Sequence, residues 1–475
     1  MKNFIALVLG ILVLNVSLPA QNRKEGGRDN KPAGIFHTDV PDHLYDIILG
    51  RITNQEVTLS ILANEDMTGH IEYGVDPKNL SLKSSTVNIT KRSVQFVELK
   101  NLLADKRYYY RLICKRSNSD QSIPSELNFF QTQRSVNKGF TFTVQADSHL
   151  DENTAPEIYL KTLNNMSTDS ADFLVDLGDT WMTDKYRNGF KESLKQYYAQ
   201  RYYFGLLCKS SCLYLTLGNH DGESGQQRSK GEDGNMTIWS TKTRLELYPN
   251  PIPNNLYSGN IVKESGLGYP ENYYSWKWGD ALFIVLDPFR YTTDNNNPWQ
   301  RTLGLEQYNW LKNTLAKSRA SFKFVFIHNL VGGEDLNGKG RGGAEAARYY
   351  EWGGLDADGT NKFSENRPGW EKPIHELLKS YHVDIVFHGH DHFFARQELD
   401  GLVYQLVPQP GAMRYGNTNS AAAYGYKEGK FSNCPGYLRI RVEGKYATVE
   451  LLQSSADSQH TNKEVLFSYT VQPKK

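Results

Sequence analysis

Between residues 35 and 135 the chain alternates apolar and polar positions with a period of two. "EVTLSILAN", "GHIEYGV", "SVQFVELKNL", "RYYYRLICKR" and "ELNFFQTQ" all show this alternation or are rich in β-branched and aromatic residues, which predicts half-buried strands. "NED", "DPKN" and "SNSDQS" break the runs and predict turns. Short strands at that spacing predict a small all-β sandwich. From Gly139 the pattern changes. Apolar runs such as "GFTFTVQAD", "DFLVDLGD", "CLYLTLGNHD", "ALFIVLDPF", "FKFVFIHN" and "VDIVFHGHDH" read as buried strands. Segments of helical spacing lie among them, including "APEIYLKTLNN", "GFKESLKQYYAQRYYFGLL", "EQYNWLKNTLAKS" and "WEKPIHELLKSY". Strands alternating with helices predict an α/β domain. After Ala395 strands return in "LVYQLVPQ", "GYLRIRVEG", "YATVELLQ" and "EVLFSYTVQ". No internal repeat or low-complexity tract is present.

The first residues stand apart. In "MKNFIALVLGILVLNVSLPAQ", Lys2 supplies a positive start, Phe4 to Leu14 an apolar stretch and Ala20 a small residue at a cleavage point. This predicts a secretory signal peptide at 1–20, followed by a polar linker at 21–34. The apolar stretch is too short to span a bilayer comfortably, so the expectation is a secreted or periplasmic protein without a stable membrane anchor. The chain has 475 residues, enough for two or three domains, and a net charge of +1, which gives no electrostatic reason to expect a nucleic-acid partner. Four cysteines, Cys114, Cys208, Cys212 and Cys434, would allow two disulfides in an exported protein, with Cys208 and Cys212 close enough in sequence to bound a small loop. Spacing does not fix the pairing, and Cys114 also reads as a buried strand residue.

Candidate chemistry sits where the strands end. "TVQADSHL" delivers Asp147 and His149, "LVDLGDTW" Asp179, "LTLGNHDG" Asn219, His220 and Asp221, "FVFIHN" His328, and "VFHGHDH" His390 and His392. Each has an ordinary reading as a helix cap, a turn or a core histidine. Yet five of the chain's 12 histidines fall at these ends, and in open α/β sheets ligands bind beyond the carboxyl ends of strands. Mixed imidazole and carboxylate donors suit manganese, iron or zinc. Two such ions about 3.5–4 Å apart can clamp both oxygens of a phosphoryl displacement. His388, His390 and His392 alternate, so a strand running straight through them would present all three on one face.

D-x-H, G-D, G-N-H-D, a lone His and G-H-x-H, in that order over roughly residues 139–395, resemble the five blocks of the calcineurin-like metallophosphoesterase superfamily. The resemblance implies an α/β metallophosphoesterase sandwich, two mixed β-sheets flanked by helices, over 139–475. Ahead of it, 35–135 resembles a fibronectin type III-like domain. Carried over block by block, the resemblance implies that Asp147, His149 and His392 hold one divalent metal ion. Asn219, His328 and His390 would hold a second, with Asp179 bridging. A metal-held hydroxide would attack phosphorus in line, with His220 near the leaving oxygen and Asp221 orienting it. His388 has no family role and is expected behind the ligands or in solvent. The implied activity is hydrolysis of a small phosphate monoester. The alternatives are a phosphodiesterase with the same donors, or a non-catalytic binding protein that would bind metal without turnover. The Gly-rich stretch 328–354 is expected to border the substrate pocket, with Arg341 or Arg348 as phosphate contacts, and "LDPFRYTTDNNNPW", with Arg290 and Tyr291, is a second candidate rim.

The two-domain layout resembles purple acid phosphatases, with two departures. Those enzymes carry a metal-ligating Tyr three residues after the second-block Asp, where this chain has Met182, and they lack the first-block His that is present here as His149. The metal-loaded protein is therefore expected to be colourless or weakly coloured. An intense visible charge-transfer band in its absorption spectrum would count against this donor assignment.

Overall fold

The computed structural model describes residues 34–186, 188–228, 234–331, 340–416 and 418–474. The expected signal peptide, and all of the expected linker except residue 34, lie outside the described residues. No helix among the described residues is long and apolar enough to cross a membrane.

The N-terminal strands are β1 (Tyr45–Gly50), β2 (Val57–Ala63), β3 (Met67–Gly74), β4 (Leu82–Lys83), β5 (Val87–Ile89), β6 (Val94–Leu99), β7 (Arg107–Arg116), β8 (Ile123–Pro124) and β9 (Asn128–Gln131). One antiparallel sheet runs β1-β2-β6. The other is built on β3 and β7, with β4 and β5 pairing β3, and β8 and β9 pairing β7. The period-two pattern explains the packing. Along β7, Tyr108, Tyr110, Leu112 and Cys114 point into the sandwich core and the residues between them point outward. Strand β2 is buried on both faces, because its outer face meets the following domain.

That domain contains β10 (Phe140–Gln145), β11 (Phe173–Asp176), β12 (Cys212–Leu215), β13 (Ser258–Gly259), β14 (Tyr274–Trp278), β15 (Ala281–Val285), β16 (Phe322–Phe326), β17 (Ile385–His388), β18 (Phe394–Leu399), β19 (Leu402–Leu406), β20 (Lys430–Ser432), β21 (Gly436–Glu443), β22 (Tyr446–Gln453) and β23 (Val465–Val471). They form two mixed sheets, ordered β12-β11-β10-β21-β22-β23 and β13-β14-β15-β16-β17-β19-β18-β20. In the first, β10, β11 and β12 are parallel; in the second, β15, β16, β17 and β19 are parallel. Their apolar runs divide residue by residue between two cores. Phe173 and Val175 of β11 face the space between the sheets and Leu174 faces the helices, and Phe324 and Phe326 of β16 likewise lie between the sheets with Val325 on the helix side. The inter-sheet core is largely aromatic, with Phe142 edge-on to Phe283 at 5.3 Å and Phe326 stacked on Phe387 at 5.1 Å. Helices α1 (Pro156–Ser167) and α2 (Leu194–Cys208) cover the first sheet. Past α3 (Met236–Leu247), helix α4 (Leu305–Lys317) and the helix Ile374–Ser380 cover the second.

All four cysteines are buried and free. The small loop suggested by Cys208 and Cys212 is not closed. Cys208 ends α2 in the helix-side core, while Cys212 opens β12 with its side chain between the sheets.

The sandwich is fastened to α2 by Arg201, whose side chain is fully buried. Its Nε donates to Asp46 Oδ1 (2.8 Å), Nη1 to Ser60 Oγ (2.9 Å) and to Leu247 O, and Nη2 to Ser60 O (3.1 Å). Removing one partner of such a pair strands the other charge without water. Arg201→Ala should therefore cost about 3–5 kcal/mol, read as a lower midpoint in equilibrium urea unfolding. A change below 1 kcal/mol would mean that the pair holds nothing together.

Candidate metal centre

The loops that follow β10, β11, β12, β16 and β17 meet at one end of the two sheets. They are joined by backbone bonds. Asp147 N–H donates to Gly178 O (3.0 Å), His149 N–H to Asp179 O (3.2 Å), and Gly389 N–H to His328 O (2.8 Å). Two glycines permit the approach. A Cβ on Gly218 would lie 2.1 Å from Asp179 N, and one on Gly389 would lie 2.8 Å from both Ala146 Cβ and Asp147 Oδ2. This is why the motifs read G-N-H-D and G-H-D-H.

Asp147, His149 and His392 form one group of converging donor atoms; Asp179, His328 and His390 form a second. Asp147 Oδ1 faces three imidazoles, with His392 Nε2 at 3.5 Å, His149 Nε2 at 3.7 Å and His328 Nε2 at 3.9 Å. Asp179 Oδ2 lies 3.2 Å from His328 Nε2 and 3.7 Å from His149 Nε2, so it stands between the two groups. Asn219 Oδ1 is 3.1 Å from His328 Nε2. The other carboxylate oxygens are engaged by backbone, Asp147 Oδ2 by His390 N–H and Asp179 Oδ1 by His220 N–H, each at 2.8 Å. The imidazoles are oriented from behind. His328 Nδ1 lies 2.8 Å from Leu177 O, and His149 Nδ1 lies 3.3 Å from Asp151 Oδ2. Such outer contacts orient an imidazole so that its other nitrogen faces a metal.

The donor set fits divalent cations on two counts. Asp147 Oδ1, His149 Nε2, Asp179 Oδ2 and His390 Nε2 are buried without a hydrogen-bond partner, and buried polar atoms require one. Asp147, His149, Asp179, His390 and His392 all hold left-handed backbone, with φ of 59°, 48°, 52°, 77° and 65°. Non-glycine residues sustain that conformation only where their surroundings impose it, typically at functional sites. A third cluster, His375, Glu376 and Asp400, already contains a cation. Lys379 Nζ reaches Glu376 at 2.7 Å and Asp400 at 3.4 Å.

Several expectations need correction. Asp221 does not orient His220. Its carboxylate accepts the N–H groups of Gly218 (2.6 Å), Trp181 (2.8 Å), Thr180 (2.9 Å) and Asp179 (3.1 Å), and so shapes the loop after β11. The acid beside His220 is Asp184, whose carboxylate oxygens lie 2.9 and 3.1 Å from Nδ1. Asp184 follows Asp179 by five residues in "GDTWMTD", but only the 3₁₀ turn Thr183–Lys185 brings it back toward His220. The three alternating histidines do not share a strand face, because β17 ends at His388 and the backbone turns left-handed at His390 and His392. His388 is buried, and burial lowers its pKa to about 3, so it is neutral. Arg290 is no rim residue. It is buried and bonds Glu264 and Thr241, while Tyr291 bonds Glu306. Of the Gly-rich stretch, residues 332–339 lie outside the described residues. Residues 340–354 are folded onto the domain, with Trp352 Nε1 donating to Tyr404 (2.9 Å) and Arg348 exposed at the end of a 3₁₀ turn.

Helix α2 supports this end of the sheets from behind. Gln196 accepts Met182 N–H (3.0 Å) and donates to His149 O, and one turn on Gln200 donates to Ser148 Oγ (2.8 Å) and Thr180 O (3.0 Å).

The charges oppose burial. Burial alone would raise Asp147 and Asp179, yet the surrounding imidazoles hold both carboxyls well below the usual range. Burial would lower His149 and His328, but the carboxylates outweigh it. His149 is raised well above its ordinary value by Asp147, then Asp151 and Asp179, and His328 is raised to about 9, chiefly by Asp179 and then Asp147.

Residues 140–394, more than half of the chain, match the calcineurin-like phosphoesterase family. No curated protein matches the sequence. Among solved structures, PhoD is similar with a TM-score of 0.63 and 15% identity, over 91% of this chain and 92% of PhoD. The purple acid phosphatase PPD1 from yellow lupin (Lupinus luteus) seeds is similar with a TM-score of 0.59 and 15% identity, over 90% of this chain and 74% of that one. At that identity both comparisons speak to the fold, including the β domain ahead of the two sheets.

Imidazole ligates metal only when neutral. Because His328 titrates near 9, a divalent ion must displace its proton at pH 7. Apparent zinc affinity should therefore fall as pH drops from 9 to 6, and calorimetry in two buffers of different ionisation enthalpy should show proton release on binding. Affinity that does not change with pH would overturn this picture of the cluster.

Proposed function

Because this chain belongs to the calcineurin-like phosphoesterase family, we propose that it is an exported enzyme that hydrolyses small phosphate monoesters using two divalent ions, manganese, iron or zinc. The observation that carries this reading is the set of converging imidazole and carboxylate atoms, several of them buried without partners, gathered into two adjoining groups from four strand ends. Asp147, His149 and His392 would hold one ion, Asn219, His328 and His390 the other, and Asp179 would serve both. Bound there, the ions would activate water and neutralise the charge on the phosphoryl oxygens.

The chain's own residues supply the rest. Asp184 takes up Nδ1 of His220, leaving Nε2 free to give a proton to the leaving oxygen. Asp184 then stabilises the charged ring that precedes the transfer. Asp221 ties the loop between Asp179 and Trp181 to Gly218 through its four backbone contacts. Export to the periplasm or medium rests on the leader pattern of residues 1–20. A net charge of +1 gives no electrostatic reason to expect a nucleic-acid substrate. The same donors would serve a phosphodiesterase, so the charge at the rim has to discriminate.

The test is hydrolysis of p-nitrophenyl phosphate beside bis(p-nitrophenyl) phosphate by protein loaded in turn with manganese, zinc and iron, with metal counted in the same samples. Turnover of the monoester with two ions per chain is expected. Asp184→Asn should lower kcat about 100-fold for phenyl phosphate, whose leaving group needs a proton, and much less for p-nitrophenyl phosphate, with metal content preserved. Two bound ions and no turnover of either ester under any loading would sink the enzymatic reading. Equal losses on the two monoesters would remove His220 and Asp184 from proton transfer.

A further inference from the structure

Among the described residues, three buried arginines are bonded to acids. Arg201 bonds Asp46, Arg244 bonds Glu223 and Arg290 bonds Glu264. Arg341 differs. Among the described residues it donates no hydrogen bond. Its ion-pair partner, Asp391 Oδ1, lies 3.8 Å from Nε, too far to accept, and both atoms are buried without a hydrogen-bond partner. The other oxygen of Asp391 is engaged by the Tyr426 hydroxyl (2.7 Å) and by Gly342 N–H (3.0 Å). The guanidinium lies over the Tyr424 ring, 4.0 Å from its centroid, and the side chain is 21% exposed. Stacking and a nearby carboxylate thus hold the cation while its planar donors stay free.

Its location gives this meaning. Asp391 is the residue between His390 and His392, so Arg341 packs against the loop that would carry two of the ion ligands. Asp147 and Asp179 already face imidazoles and would be engaged by the ions, whereas the guanidinium of Arg341 has no acid within hydrogen-bond distance and is a fixed cation left to meet a ligand's charge. A phosphate monoester near neutral pH carries close to two charges and three non-bridging oxygens. A diester carries one charge and two such oxygens. A guanidinium fork suits phosphoryl oxygens in both charge and geometry.

We propose that Arg341 selects phosphate monoesters at this site, by donating to the non-bridging oxygen that a diester has replaced with its second ester linkage. This rests on the phosphoesterase reading and adds the residue that sets its preference for monoesters. Tyr424 and Asp391 position the guanidinium, and Gly342 and Tyr426 position Asp391.

The test uses two ligands without a cleavable ester bond, so it reads binding whether or not the protein turns over. Phenylphosphonate at pH 8 is a dianion with three free oxygens, and diphenylphosphinate is a monoanion with two. Calorimetry on manganese-loaded protein should show tighter binding of phenylphosphonate. Arg341→Ala should weaken phenylphosphonate about 30-fold and diphenylphosphinate by less than about threefold. Arg341→Lys, which keeps the charge and loses the fork, should fall between. Metal content and melting temperature of each variant, measured in the same samples, separate this effect from a damaged site. Equal weakening of both ligands, or none, would overturn the proposal. Selective loss of phenylphosphonate binding in a protein that hydrolyses no ester would uphold Arg341 as the selector and defeat the enzymatic reading instead.

Discussion

Imidazoles and carboxylates can be buried together only when each polar atom finds a partner, and at the carboxyl ends of β10, β11, β12, β16 and β17 the protein leaves several without one. Each such atom costs about 1–3 kcal/mol, and each left-handed residue among them adds about 1–2 kcal/mol. The rest of the domain is arranged to sustain that cost. Two sheets close on an aromatic core from one side, helices cover their outer faces, and backbone bonds between neighbouring loops hold the strand ends together. Divalent ions would turn the same arrangement from a liability into a stabilising one, since neutral imidazoles and ionised carboxylates would then both be satisfied.

Much of this was legible in the sequence because it depends on strands, and strands declare themselves by their period. An apolar run ending in Asp or His specifies both a buried strand and a polar residue at its tip, and five such runs point to one place. The glycines of the motifs were equally readable, since a Cβ at Gly218 or Gly389 has no room. What depended on loop paths was not legible. Nothing in "GDTWMTD" says that the chain turns back at Thr183 and sets Asp184 against His220, while Asp221, its immediate neighbour, turns away to collect backbone N–H groups. Alternation misled at His388, because the period-two rule ends where the strand ends. Arg290 looked like a rim residue for want of any sign that Glu264, 26 positions away, would claim it.

Arg341 and Arg290 show why the environment of a cation matters more than its position in a motif. Both follow strands of the second sheet in regions expected to border a pocket. One is buried with its charge matched by an acid at hydrogen-bond distance. The other is held flat on a tyrosine with its acid just out of reach. Stacking fixes a guanidinium's plane without using its N–H groups, which suits a residue that must still bind something else.

The same reasoning gives the N-terminal sandwich a role it does not announce. It contributes none of the donor atoms. One link from it to the site is α2, which has two working faces. On one, Gln196 and Gln200, one turn apart, bond the loops carrying Ser148, His149, Thr180 and Met182, and Tyr197 stacks on Trp181 of the same loop at 4.5 Å. On the other, Arg201 reaches Asp46 and Ser60 of the sandwich. Gln200 and Arg201 are consecutive, so the helix cannot shift at the domain junction without shifting the loops of Asp147 and Asp179. A site that tolerates left-handed backbone and unpartnered atoms needs its loops held from behind. The sandwich, through Arg201 and through contacts such as the Tyr110 hydroxyl on Lys209 O, supplies the fixed side of that hold.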